Sequence, residues 1–171
     1  MAMIKFGFAL LAMALCILPA HAQDAPPPDC SGSEYRAFDF WLGAWDAYIT
    51  GTETLAGRST IAAADKGCVI TEHWRSQRAD YSGRSLNIYD RGSGRWEQFW
   101  VDSQGVLVHF IGGRIENGMQ LTAAPRAAGG QSSRMTFTRN ADGSVRQFGE
   151  VSSDGAAWTA EYDFTYRPHA E

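Results

Sequence analysis

"WTAEYDFTYR", residues 158–167, alternates its side chains with a period of two. Trp158, Ala160, Tyr162, Phe164 and Tyr166 fall on one face. Thr159, Glu161, Asp163, Thr165 and Arg167 fall on the other. Successive side chains of an extended strand point to opposite faces, so this segment reads as a strand with one apolar and one wet side. The pattern recurs upstream. Residues 68–75 place Cys68, Ile70, Glu72 and Trp74 opposite Val69, Thr71, His73 and Arg75. Residues 95–102 place Trp96, Gln98, Trp100 and Asp102 opposite Arg95, Glu97, Phe99 and Val101.

Glycine-containing turn signals separate these runs, among them Asn117-Gly118, Asp142-Gly143 and Asp154-Gly155. Asn-Gly and Asp-Gly suit two-residue hairpins, whose central residues need positive φ. The only helical signal is a single short turn over Tyr35–Trp41. About nine or ten strands joined by hairpins, with no long crossover, predict an all-β chain folded as one antiparallel up-and-down barrel.

The N-terminus reads differently. Lys5 is followed by an apolar stretch from Phe6 to Leu18 and by Ala20-His21-Ala22, the order of a signal peptide cleaved after Ala22. Residues 1–22 are therefore expected to be removed on export, giving a secreted or periplasmic protein with no later transmembrane segment. Residues 23–34, containing Pro26-Pro27-Pro28, read as an extended Pro-rich arm, and residues 35–171 as the barrel domain. The net charge of −4 and its scattered signs argue against nucleic acid as a partner. Two cysteines follow the signal, Cys30 and Cys68. In an oxidising compartment they are expected to form a disulfide. No His or Cys lies at ligand spacing from either, so no metal site is expected.

Six sequence blocks carry a resemblance: "FDFWLGAWD" (38–46), "GCVITEHW" (67–74), "GRSLNIYD" (83–90), "GRWEQFWVDSQG" (94–105), "VRQFGEVSSDGAAW" (145–158) and "YDFTYRP" (162–168). The Gly43-Ala44-Trp45 step resembles the Gly-x-Trp that lipocalins and related calycins carry on their first strand. The blocks together resemble a lipocalin-like family of secreted bacterial proteins whose activity is unassigned. That resemblance implies a calycin-type barrel in which Trp45 closes one end, Trp41 packs beneath it and Arg167 packs on Trp45. A more distant similarity is to nitrobindins, ten-stranded barrels that bind haem through a histidine.

In a barrel, chemistry falls to the polar groups that point inward. Glu72 shares a face with Ile70 and Trp74, and Gln98 lies between Trp96 and Trp100. An inward Glu is costly unless hydrogen-bonded, paired or protonated. Asn87 and Tyr89 share a face, and Arg146 alternates with Gln147, so that either facing buries a polar group. His109, between Val108 and Phe110 on the face of Leu107 and Ile111, is read as inward and is the one haem-ligand candidate. The candidate ligand-binding set is Glu72, Trp74, Asn87, Tyr89, Gln98, Trp100, His109 and Arg146, with Glu72 also the candidate catalytic residue.

No Gly-x-Ser-x-Gly elbow is present, and "GSGR" (92–95) and "GG" (112–113) read as hairpin turns without a following helix to bind phosphate. The tripeptide Gly-Arg-Ser occurs at 57–59 and again at 83–85, each time after a turn, and reads as hairpin chemistry. Three functions follow from different classes. The barrel binds a small hydrophobic or amphipathic molecule; it is a small isomerase, cyclase or lyase that uses Glu72; or it is a filled barrel with a structural or interaction role.

Overall fold

The computed structural model describes residues 29–170. The expected signal segment and the prolines of the arm lie outside the described residues. A 3-10 helix at Asp39–Trp41 leads into ten strands. They are β1 (Gly43–Ile49), β2 (Leu55–Ala64), β3 (Val69–Ser76), β4 (Ser82–Asp90), β5 (Arg95–Asp102), β6 (Leu107–Ile115), β7 (Gly118–Ala123), β8 (Ser132–Arg139), β9 (Val145–Ser152) and β10 (Thr159–Pro168). Each strand pairs antiparallel with its sequence neighbour, and β1 closes on β10 from Trp45↔Pro168 to Ile49↔Phe164. Closure leaves no free strand edge. No helix among the described residues is long and apolar enough to cross a membrane.

The two ends of the barrel differ. At one end the segment before β1 folds across the opening. Phe38 and Trp41 are fully buried and stack at 5.0 Å. Phe38 also meets Trp96 and Phe137 edge-on, at 5.7 and 4.9 Å. Trp45 donates its indole N–H to the Trp41 carbonyl at 2.9 Å and sets its ring edge-on to Tyr166. Large aromatics of this kind supply most of the burial in a small core. The Cys30–Cys68 disulfide ties this segment to the start of β3, with Cα atoms 5.1 Å apart. Arg36 adds a hydrogen bond to the Gly67 carbonyl in the β2–β3 turn.

Trp41 and Trp45 thus close the barrel end, but Arg167 is not their partner. Arg167 lies opposite Asp46 in the β1–β10 register, one residue out of phase with inward Tyr166. Its guanidinium reaches Glu53 at 2.7 and 3.0 Å and lies over the Tyr48 ring on the outer surface. Strand parity decides this, because a side chain next to a buried tyrosine must face water.

Candidate functional site

The opposite end is open. A cavity of about 880 Å³ runs from the β3–β4, β5–β6 and β7–β8 loops down to Glu72. Strand parity builds its wall. β3 contributes Glu72 and Trp74, β5 Gln98 and Trp100, β6 Val108 and Phe110, and β10 Tyr162, Phe164 and Tyr166. Trp74 stacks on Phe164 at 5.6 Å, and Phe164 stacks on Tyr162 at 5.3 Å, giving a continuous aromatic wall.

Three glycines let these rings lie flat. A Cβ on Gly57 would sit 2.3 Å from the Trp74 ring, one on Gly83 2.2 Å from Trp100, and one on Gly149 2.2 Å from Tyr162. Each bare backbone is the seat of a cross-strand ring, so the indoles and the phenol hug the wall rather than fill the lumen.

Glu72 sits at the floor, 5% exposed. Ser59 Oγ donates to Glu72 Oε1 at 3.0 Å, and Ser85 Oγ donates to Oε2 at 2.9 Å. Asn87 Nδ2 donates to Ser85 Oγ and to the Ile70 carbonyl, both at 3.0 Å. Gln98 Nε2 donates to Asn87 Oδ1 at 2.7 Å. The donors therefore run from Gln98 in the lumen wall through Asn87 and Ser85 to the carboxyl. No cation pairs with Glu72 among the described residues. Burial pushes its pKa from 4.5 up to about 7, against the pull of the Ser85 and Ser59 hydroxyls. The neighbouring phenols are raised as well. Burial and then Asp102 push Tyr81 up to about 12, and burial raises Tyr162 and Tyr166.

Both serines belong to the repeated Gly-Arg-Ser tripeptide, which the hairpin reading does not explain. The copies at 57–59 and 83–85 lie on β2 and β4, the two neighbours of β3. In each copy the Gly seats a lumen tryptophan, the Arg faces out and the Ser holds one oxygen of Glu72. The repeat is a two-sided clamp, and an inward Glu on the strand between its copies was the signal that could have revealed it.

Of the eight expected ligand-binding residues, Glu72, Trp74, Gln98 and Trp100 line the cavity. Asn87, fully buried, stands behind the wall as the link between Gln98 and Ser85. Tyr89 sits at the closed end, edge-on to Tyr35 at 5.2 Å. His109 and Arg146 face outward. His109 stacks on Phe99 at 4.3 Å and meets Glu97 at 2.9 Å, because Val108 and Phe110 take the inward positions of β6. It is not placed to ligate a haem inside the barrel, and among the described residues no other histidine lines the lumen. Arg146 forms a two-point ion pair with Asp163 at 2.6 and 2.8 Å, leaving its neighbour Gln147 to face in and accept from Tyr166 at 2.6 Å.

Sequence reasoning also missed the mouth. The β9–β10 register shifts between Ala160 and Tyr162, so the alternation fails at the start of β10. Trp158 moves to the rim beneath the Arg134 guanidinium, and Glu161 turns toward the cavity. Among the described residues no group of three or more His, Cys, Asp or Glu side chains is arranged to hold a metal ion. Compared with known proteins, the chain matches no family model and no curated sequence. The ten-stranded closed barrel is itself compatible with a calycin- or lipocalin-like fold.

Proposed function

We propose that this chain is an exported, lipocalin-like barrel that holds a small, partly hydrophobic molecule in its lumen. The observation that carries this reading is the open cavity of about 880 Å³, walled by aromatic rings and floored by a clamped carboxyl. Ligand sites are typically apolar hollows of this size with a few fixed polar groups. The open lumen favours binding over a filled structural barrel. The apolar stretch at residues 6–18 with Ala20-His21-Ala22, together with the Cys30–Cys68 bridge, supports export to an oxidising compartment.

The test is native mass spectrometry of the purified protein, followed by a tryptophan-fluorescence titration with tert-butylbenzene. The expected result is a one-to-one complex whose formation quenches Trp74 and Trp100. Val108→Trp, which fills the lumen beside Trp100, abolishes it. Absence of any complex, with copurified or added molecules, removes this reading.

A second reading is favoured by the pKa of Glu72 near 7. A carboxyl half-protonated at neutral pH can take a proton from a bound molecule and return it elsewhere, as an isomerase, cyclase or lyase requires. The two readings separate by the recovered ligand: a carrier returns it unchanged, and an enzyme returns an altered molecule whose formation stops in Glu72→Gln.

A further inference from the structure

We propose that the molecule held in the lumen is a small organic cation, its ammonium head seated against Glu72 and its apolar body between the aromatic walls. This rests on the ligand-binding reading above and adds the sign of the ligand's charge.

Three observations carry it. The first is an uncompensated carboxyl. Glu72 lies at the floor of the cavity with one hydroxyl donor on each oxygen and, among the described residues, no cation beside it. An ionised carboxylate out of water is costly until a counter-charge arrives, and the lumen is the only side from which one can come. The second is the wall next to it. Trp74, Phe164 and Tyr166, with Trp74 stacked on Phe164 and tilted toward Tyr166 at 6.2 Å, make an aromatic wall of the kind that attracts ammonium groups. Gly57 and Gly83 seat the Trp74 and Trp100 rings against the wall, in the same cavity that Glu72 lines.

The third is the balance of the rim. Arg78, Arg126 and Arg134 line the cavity together with Asp102, Glu150 and Glu161. Arg134 is held by Glu150 through two bonds of 2.8 Å, and Asp102 is bound by Tyr81 and two backbone amides. The mouth therefore selects neither sign, and the choice falls to the floor.

The pH dependence belongs to Glu72. From β2 and β4 it faces only the neutral Ser59, Ser85 and Asn87, and from β5 Gln98. Around the lumen Tyr81, Tyr162 and Tyr166 have raised pKa values, burial being the main cause, and stay neutral at ordinary pH. His73, its neighbour on β3, projects from the opposite face of that strand, and the charges of Arg78, Arg126, Arg134, Asp102, Glu150 and Glu161 stand around the cavity wall and rim. Glu72 carries its charge above its pKa of about 7, so attraction for a cation is present there and is lost as pH falls through that value.

The experiment compares three probes of one shape: phenyltrimethylammonium, its uncharged carbon isostere tert-butylbenzene, and benzenesulfonate. Each is titrated into the purified protein at about pH 8.5 and about pH 5.5, on either side of the Glu72 transition. The expected result is that the ammonium probe binds at least about tenfold more tightly than tert-butylbenzene at the higher pH, an advantage lost at the lower pH. Glu72→Gln is expected to abolish the same advantage. If that variant does not fold, the pH comparison on the unaltered protein decides alone. Equal or tighter binding of tert-butylbenzene or benzenesulfonate at the higher pH overturns the cation inference and leaves the ligand-binding reading standing. A cation preference that ignores pH overturns the role of Glu72. Silence from all three probes removes the ligand-binding reading itself.

Discussion

Glu72 makes the stability of the barrel sensitive to pH in a direction opposite to most carboxylates. Its pKa rises from 4.5 in the open chain to about 7 in the fold. The folded state therefore holds this proton more tightly than the unfolded chain. That contribution is fully present below about pH 4.5 and is lost as pH rises through about 7, an effect on the order of 3 kcal/mol. His73 works the other way, since burial and the nearby Arg84 and Arg75 lower its pKa. Its contribution is present above its ordinary value and lost as pH falls. Comparison with Glu72→Gln, which retains His73, isolates the carboxyl. The variant is expected to be more stable than the parent at about pH 8 and to show a flatter dependence of melting temperature on pH. A parent and variant with parallel profiles would show that Glu72 does not titrate in this window. Trp45 belongs to the same scale but to the closed end. It is 5% exposed, bonded to the Trp41 carbonyl and set against Tyr166. Trp45→Ala is expected to cost about 3–5 kcal/mol in chemical denaturation. Because it does not line the lumen, probe affinity in the folded variant should persist.

Individual strands differ in how well sequence revealed their facing. On β3 and β5 the inward positions carry Ile70, Glu72, Trp74, Trp96, Gln98 and Trp100, and large aromatics there set the parity. On β6 both faces are apolar, with Leu107 56% exposed on the outside and Phe110 buried within. The contrast that parity reasoning needs is missing, so the sequence pattern does not reveal that His109 faces out. Outward Leu86, directly opposite outward Phe99, similarly obscured β4. On β10 the register shift breaks the period that made the strand legible. The two Gly-Arg-Ser copies were visible but meaningless until register placed them on either side of Glu72, because cross-strand neighbours are long-range facts. Their glycines give a test at the element scale. Gly83→Ala drives a methyl into the Trp100 ring and forces it from the wall toward the lumen. The expected loss is about 1–3 kcal/mol, accompanied by weaker probe binding and a changed near-ultraviolet circular dichroism spectrum. Gly113→Ala on β6, whose added methyl meets nothing within 4 Å, serves as the control and should behave as the parent. Equal behaviour of the two variants would refute the seating of Trp100 on Gly83.

The whole molecule divides its labour between its ends. The closed end holds Phe38, Trp41, Trp45 and Phe137 and takes the disulfide, while the open end holds the cavity. Strand hairpins make the barrel, but the plug arrives from a segment outside the sheet, so its docking relies on aromatic burial and on the covalent tie. The bridge spans 38 residues of sequence. Closing a loop of that length restricts the unfolded chain by about 3–4 kcal/mol on the chain-entropy model. Cys68→Ser is therefore expected to lower the unfolding free energy by that amount, and with it the denaturation midpoint, and reductant should have the same effect on the parent but none on the variant. The lumen wall contains neither cysteine, and every strand pairing that builds it is independent of the bridge. Under conditions where the variant remains folded, its affinity for a lumen probe should match the parent's. A variant that keeps its stability yet loses the probe would mean that the plug communicates with the cavity, and the separation of the two ends would have to be abandoned.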